Sequence, residues 1–248
     1  MNFLLKFKKL SGVGIILIVW TLLFIFLGEK LFPPPWEVFA VLARLLSGKK
    51  IWLHMLFSLY RIVLGLTAAL IIGIPIGLVS GVSSRIDGII SPVTYLLYPL
   101  PKIAFLPVFM VIFGLGDLSK IVLLFTVIVF QIIIATRDGV KGIPDRLFKA
   151  VKTLGLSRGR IYADLIVPST MPKIVTALRI SLGISISVLF FGENYATTYG
   201  IGYFIMNSWI MVHYSEMFAG IVAISLMGIG LFRLIDVVEK RLCPWLYI

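Results

Sequence analysis

Three charged residues, Arg61, Arg179 and Glu193, stand beside or within long apolar runs, where a charge is costly and commonly serves a function. Two chemistries suit them. They pair or snorkel at helix ends, or the cations offset the hydration lost by an anion moving along a polar path. Spacing alone selects neither. His54 and His213 have no partner at metal-ligand spacing and read as polar residues near outer helix ends. Cys243 is the single cysteine, which removes an intrachain disulfide and a cysteine zinc site. The few acids fall mainly at loops and ends, so no His, Asp, Glu or Ser constellation converges as a membrane-embedded enzyme would need.

The elements that must position these residues are set by composition. Of 248 residues, 60% are hydrophobic and 14% charged, with a mean hydropathy of +1.07. Soluble domains carry about 25% charged residues, so the chain belongs in lipid. A spanning helix takes roughly 20 residues, which leaves room for about six and none for a large soluble catalytic domain. The formal net charge of +12 does not signal nucleic acid, because Lys and Arg punctuate apolar runs instead of gathering on a polar surface.

Six spans are expected. The first, Val13 to Leu27, follows Lys6, Lys8 and Lys9 and is followed by Gly28, Glu29, Lys30 and three prolines, without the small-residue pattern of a signal-peptide cleavage site. The second, Ile62 to Ser84, carries Gly65, Ala69, Gly73, Gly77 and Gly81 at every fourth position, a stripe that lets another helix approach closely. Pro75 should kink it. From Gly88 to Gly116 four prolines, Pro92, Pro99, Pro101 and Pro107, break one long span in which Lys102 is the sole charge. Broken backbone is tolerated in a membrane only beside protein or a wet cavity. Tyr95 to Pro107 is therefore either a wall of a solute path or a kink packed in the bundle, with Lys102 snorkelling to an interface. Ile121 to Thr136, Ile174 to Phe191 and Met217 to Phe232 complete the set. Glu193 to Glu216 reads as a short interfacial or re-entrant helix with Trp209 at headgroup depth. Pro35 to Leu46 reads as a helix lying on the membrane with Trp36, Phe39, Ala40, Ala43 and Leu46 on one face.

Basic residues orient the bundle. With the amino terminus inside, 15 of the 23 fall on the cytoplasmic side and five, Lys30, Arg44, Lys49, Lys50 and Lys120, outside. Both termini are expected in the cytoplasm.

The longest polar stretch, Arg137 to Lys173, is then cytoplasmic. Pro144 and Asp145 suit the start of a short helix running to Leu154. Gly155 permits a sharp turn, Ser157 can cap a second helix, and Pro168 should stop it near the membrane. Leu147, Phe148, Val151 and Leu154 form an apolar face opposite Arg146, Lys149 and Lys152. Such a helix suits a lipid surface or a groove on a protein, and its tight helix-glycine-helix design favours the protein.

Within this stretch Lys149-Ala150-Val151, three residues, Gly155, nine residues and Leu165-Ile166-Val167-Pro168 keep the spacing of the motif E-A-A-x3-G-x9-I-x-L-P. The chain thereby resembles the membrane subunits of binding-protein-dependent ABC importers, with Lys149 standing where the motif has glutamate. Ser58-Leu59, Arg61, Gly65, Pro101, Ala104, Leu106-Pro107, Phe113-Gly114, Gly116, Pro172, Leu178-Arg179, and Glu193 with Gly200-Ile201-Gly202 extend the likeness, which is to the nitrate, sulfonate and taurine subfamily.

The resemblance implies an all-α polytopic fold of six transmembrane helices, a type I ABC importer transmembrane domain. Residues 1–55 would hold the first helix and outer amphipathic segment, and 56–241 the transporter domain with its coupling loop 137–173. Lys149, Ala150, Val151, Gly155, Leu156, Ser157 and Arg158 would meet an ABC ATPase dimer. Arg61, Tyr95, Tyr98, Pro101, Phe105, Arg179, Glu193 and Asn194 are candidates for the solute path. A second permease copy and an extracytoplasmic solute-binding protein complete the implied assembly in the cell membrane. No P-loop is present, so ATP and Mg belong to the partner ATPase, and no cofactor is expected on this chain. The implied solute is small and anionic or organic, with a vitamin precursor as an alternative. An ion-coupled secondary transporter is the mechanistic rival, but it calls for an internal repeat and buried acids, and the sequence offers neither.

Overall fold

The computed structural model describes residues 2–28 and 31–247, with side chains from residue 11 onward. The side chains of Lys6, Lys8 and Lys9, and residues Glu29 and Lys30 altogether, lie outside the described residues. Among those described, every element is helical: α1 Asn2–Leu27, α2 Pro35–Ser47, α3 Lys49–Val82, α4 Ser84–Leu97, α5 Leu106–Phe113, α6 Asp117–Lys141, α7 Asp145–Thr153, α8 Arg158–Arg160, α9 Val167–Glu193, α10 Ile201–Ile210 and α11 Tyr214–Leu242. Short 3-10 turns cover Lys102–Phe105 and Pro244–Leu246.

Four helices are long and apolar enough to cross a membrane: α3, α6, the continuous Arg158–Glu193 helix and α11. The pair Ser84–Leu97 and Lys102–Phe113, bent by 83°, makes a fifth span, and α1 adds the apolar stretch Ser11–Leu27.

The glycine stripe sets the centre of the fold. A methyl group on Gly65, Gly73, Gly77 or Gly81 would stand 2.7, 2.9, 2.6 or 2.5 Å from a side chain of α6, namely Leu124, Ile132, Thr136 or Val140. The offset between partners is constant and runs in the same direction, so α3 and α6 are parallel. Their backbones approach closely because the stripe has no side chains in the way. Parallel neighbours start at the same end, so the chain between Val82 and Asp117 must recross the full length of the bundle. The bent α4–α5 pair is that return.

α9 runs antiparallel to α6, with Gly139 against Thr170 at one end and Gly192 against Leu123 at the other. α11 runs antiparallel to α9, since Gly228 meets Ile186 and Gly183 faces Phe232. The ends of α3, α6 and α11 and the start of α9 therefore share one end of the bundle, together with α7. One core, including Ile62, Ala69, Ile128, Ile132, Leu182, Leu189, Ala223 and Met227, joins these helices.

Several expectations are corrected. α3 passes through Pro75 as one 34-residue helix, so Arg61 lies inside it and does not flank it. α2 keeps Trp36, Phe39, Ala40 and Ala43 on one exposed face, but Leu46, expected on that face, is half-buried and packs against the core that holds Val38 and Leu42. Pro168 does not end the second helix of the polar stretch. A π turn over Ile161–Ile166 widens the backbone just ahead of it, so that Val167 N–H bonds Tyr162 O and the missing proline donor falls in the first turn of α9. Ser157 precedes α8 without a side-chain capping bond.

Candidate functional site

Three places gather the chemistry. At the end of the bundle remote from α7, Arg61 (2% exposed) and Glu193 (0% exposed) are buried together. Arg61 Nη1 donates to Glu193 Oε1 at 2.5 Å, while Nε and Nη2 donate to Asp117 Oδ1 at 2.8 and 2.6 Å. Glu193 also accepts from Ser58 Oγ on both oxygens, at 2.8 and 2.9 Å, and from Gly202 N–H at 2.8 Å. Ile201 N–H donates back to Ser58 Oγ at 2.8 Å. A buried carboxylate survives only when paired and hydrogen-bonded throughout, and here α3 and α10 supply the partners of Glu193.

Gly200 explains the glycine after Glu193. Its φ is +152°, and a methyl there would lie 2.4 Å from the Glu193 carboxyl carbon. His54, expected near an outer interface, is instead 2% exposed and its Nδ1 lies 3.0 Å from Gly200 O. Lys120, expected in an outer loop, is buried in the first turn of α6 and donates to the carbonyls of Leu115, Gly116 and Ala196. Asn194 caps the end of α9. Arg61 and Glu193 are both buried within this cluster, bonded to Asp117, Ser58 and Gly202 as well as to each other.

Arg179 also finds acids on a neighbouring helix. Its Nη2 reaches Asp236 at 2.6 Å and Glu239 at 2.9 Å on α11. It too is turned to a helix contact.

The second place is a cavity of about 680 Å³ between α4, α6 and α9. It brings Tyr95 and Tyr98 together with Gln131, Lys173 and Thr176, three residues the sequence did not single out. Pro101 and Phe105 sit at the break beyond it, and Phe105 stacks on Phe109 at 6.3 Å. The wall formed by α4 is tied to α6 by ions: Arg137 pairs with Asp87, Lys141 reaches Asp87 at 2.5 Å, and Arg137 Nη1 donates to Tyr95 Oη at 3.3 Å. Only Thr94 of α4 is buried, and Ile90 packs against the core beside these ion pairs.

The third place is the elbow, α7 to α8. Gly155 has φ +73°, and its N–H bonds Lys152 O while Leu156 N–H bonds Val151 O. This paired closure ends a helix on a left-handed residue, a conformation open to glycine without strain. No atom lies within 4 Å of a methyl built on Gly155, so inside this chain the backbone angle and not crowding requires it. The apolar residues of α7 divide. Phe148 and Val151 pack on Val140, Ile143, Leu165 and Ile166, whereas Leu147 is 40% and Leu154 76% exposed. Lys149, Ala150, Ser157 and Arg158 are exposed beside them, and Leu156 is half-buried.

An outward-facing elbow fixed by its inner face to a bundle of polytopic helices matches a known group of proteins. Residues 73–243 match the family described as the binding-protein-dependent transport system inner membrane component. The chain belongs to that family. It is 32% identical to the taurine transport system permease protein of Escherichia coli (strain K12) over 244 residues, 96% of this chain and 89% of the relative. It is 28% identical to the nitrate import permease protein of Synechococcus elongatus, over 93% of this chain and 87% of that one. The solved methionine ABC transporter MetNI, in inward-facing conformations, shares the fold with a TM-score of 0.63 at 18% identity, covering 78% of this chain and 94% of its own. The chain is therefore a multi-pass ABC importer permease subunit of the membrane, a component without catalytic chemistry of its own.

Proposed function

We propose that this permease forms half of the translocation path for a small oxyanion of the sulfonate or nitrate kind, driven by a separate ATPase through the elbow. The observation that carries this reading is the division of α7. Phe148 and Val151 anchor it to the ends of α3, α6 and α9, so a push on its exposed residues Leu147, Ala150 and Leu154 is passed into the spans. Rigid packing transmits displacement. The taurine and nitrate permeases to which the chain is similar support the solute class.

In this reading Lys149, Ala150, Val151, Gly155, Leu156, Ser157 and Arg158 meet the ATPase, which holds ATP and Mg. A second permease copy closes the path, and an extracytoplasmic binding protein delivers the solute. The transporter domain covers 56–241, although the core also takes in Val38 and Leu42 from the segment before it. Both termini and the elbow face the cytoplasm, as the distribution of basic residues supports. Tyr95 and Tyr98 line the path, and the buried Arg61–Glu193 cluster holds helices together.

Leu154→Asp and Ala150→Trp test the coupling role. Each is expected to abolish co-purification with the ATPase subunit while leaving the thermal stability of the permease in detergent unchanged. Full capture by both variants would rule out the elbow as the docking element.

A further inference from the structure

Lys102 stands at the break between α4 and α5, where Pro99 and Pro101 interrupt the helix. Its Nζ lies 5.4 Å from the ring centres of both Tyr98 and Phe130 and donates to Tyr98 O. Phe130 is in the middle of α6, Asp117–Lys141. The ammonium is therefore level with the middle of α6. Among the described residues no carboxylate lies within 4.0 Å of it, whereas Arg61, Arg137, Lys141 and Arg179 each have one.

A cation at this depth without a counter-charge is expensive and is retained where it serves a path. Its surroundings compensate it only in part, by one carbonyl and two aromatic faces. Tyr98, under the ammonium, is also a wall of the 680 Å³ cavity, whose other polar groups are Tyr95, Gln131, Thr176 and, towards the elbow end, Lys173. Hydroxyls, an amide and a second cation are groups that donate to oxygen. Tyr95 Oη already accepts from Arg137, which leaves its own proton free to donate.

We infer that Lys102 is the mid-path station that supplies the charge for a small monoanion, with Tyr98 beneath it and the donors of the cavity taking the anion onward towards Lys173. The inference rests on the importer reading and deepens it by naming the residue that selects for charge. A passing oxyanion provides the missing counter-charge, and Lys102 releases it readily because its carbonyl and aromatic contacts remain when the anion leaves.

Two measurements test it. In the first, the wild-type chain in bilayers is acylated with an amine-reactive reagent and modification of Lys102 is read by mass spectrometry. Methanesulfonate and nitrate should protect Lys102 in a saturable manner, and dimethyl sulfone, the neutral analogue of methanesulfonate, should not. Equal modification under all three conditions overturns the inference. In the second, vesicles hold the whole assembly of permease, ATPase and binding protein, with methanesulfonate and nitrate as probes. Lys102→Gln should lower uptake by about tenfold or more, the loss expected of a charge-assisted contact, while Lys102→Arg keeps most of it and ATPase activity persists in both. Wild-type rates in Lys102→Gln overturn the assignment to Lys102 and leave the importer reading standing. Failure of the wild-type assembly to move either anion would instead remove the proposed solute class, and this inference with it.

Discussion

Arg61 and Glu193, separated by 132 residues of sequence, meet at 2.5 Å in the interior of the bundle. Asp117 and Lys120 join them, so that two cations and two carboxylates from α3, α6 and α9 balance in one place. Removing one member leaves its partner charged, buried and short of hydrogen bonds. Glu193→Ala is expected to destabilise the protein by about 3–5 kcal/mol, seen as a lower melting temperature in detergent. The double variant Glu193→Ala with Arg61→Met should lose less than the sum of the two single changes. Strict additivity would show that the pair does not act as a unit.

The close approach of α3 and α6 makes a second expectation. At Gly81 the three nearest atoms all belong to the Val140 side chain, at 2.5 to 2.9 Å from a methyl built there. Gly81→Ala should cost about 1–3 kcal/mol by overpacking. Val140→Gly in the same chain should recover part of the loss. Gly88→Ala, with nothing within 4 Å, serves as the neutral reference in the same melting experiment.

At the elbow the backbone angle of Gly155, not its neighbours, decides which substitutions are tolerated. Gly155→Ala should weaken the turn by about 1 kcal/mol and Gly155→Asn by less, because asparagine enters the left-handed region more easily. Hydrogen exchange of the Gly155 and Leu156 amides, both bonded to α7 carbonyls, would register the difference. Equal protection in all three chains would contradict a role for φ.

Cys243 offers a check on topology. It is fully buried just beyond α11, and burial pushes its thiol above the ordinary cysteine range. The thiolate is the reactive form, so the native cysteine should label slowly at neutral pH and rapidly in detergent that unfolds the chain. Against that silent background Ala150→Cys should label only from the cytoplasmic side and Arg44→Cys only from outside. Labelling of position 150 from outside intact cells would invert the proposed orientation.

Much of this was legible in the residues because it is local. The apolar runs were long enough to name the spans, the glycines fell at every fourth position of one helix, and the motif around Ala150 and Gly155 marked the elbow and the family. Each signal depends only on neighbours within a few turns, where periodicity, proline and glycine act directly on the backbone. Lys120 and His54 read as surface residues for the same reason, since the segment that covers them, with the carbonyls of Ala196 and Gly200, lies far away in sequence.

What only the tertiary structure decided was the partner of each feature. The stripe on α3 needed α6, in parallel register, before it meant close packing. Arg61 and Glu193 had no identifiable partners until folding brought them together, and Arg179 found its own on α11. The apolar face of α7 was split between core and exposed surface by the ends of α3, α6 and α9. Lys102 acquired its depth from Phe130, a residue on another helix. A charge or an apolar side chain reports its type in sequence, but its energy depends on the dielectric and the groups that surround it, and these come from distant segments.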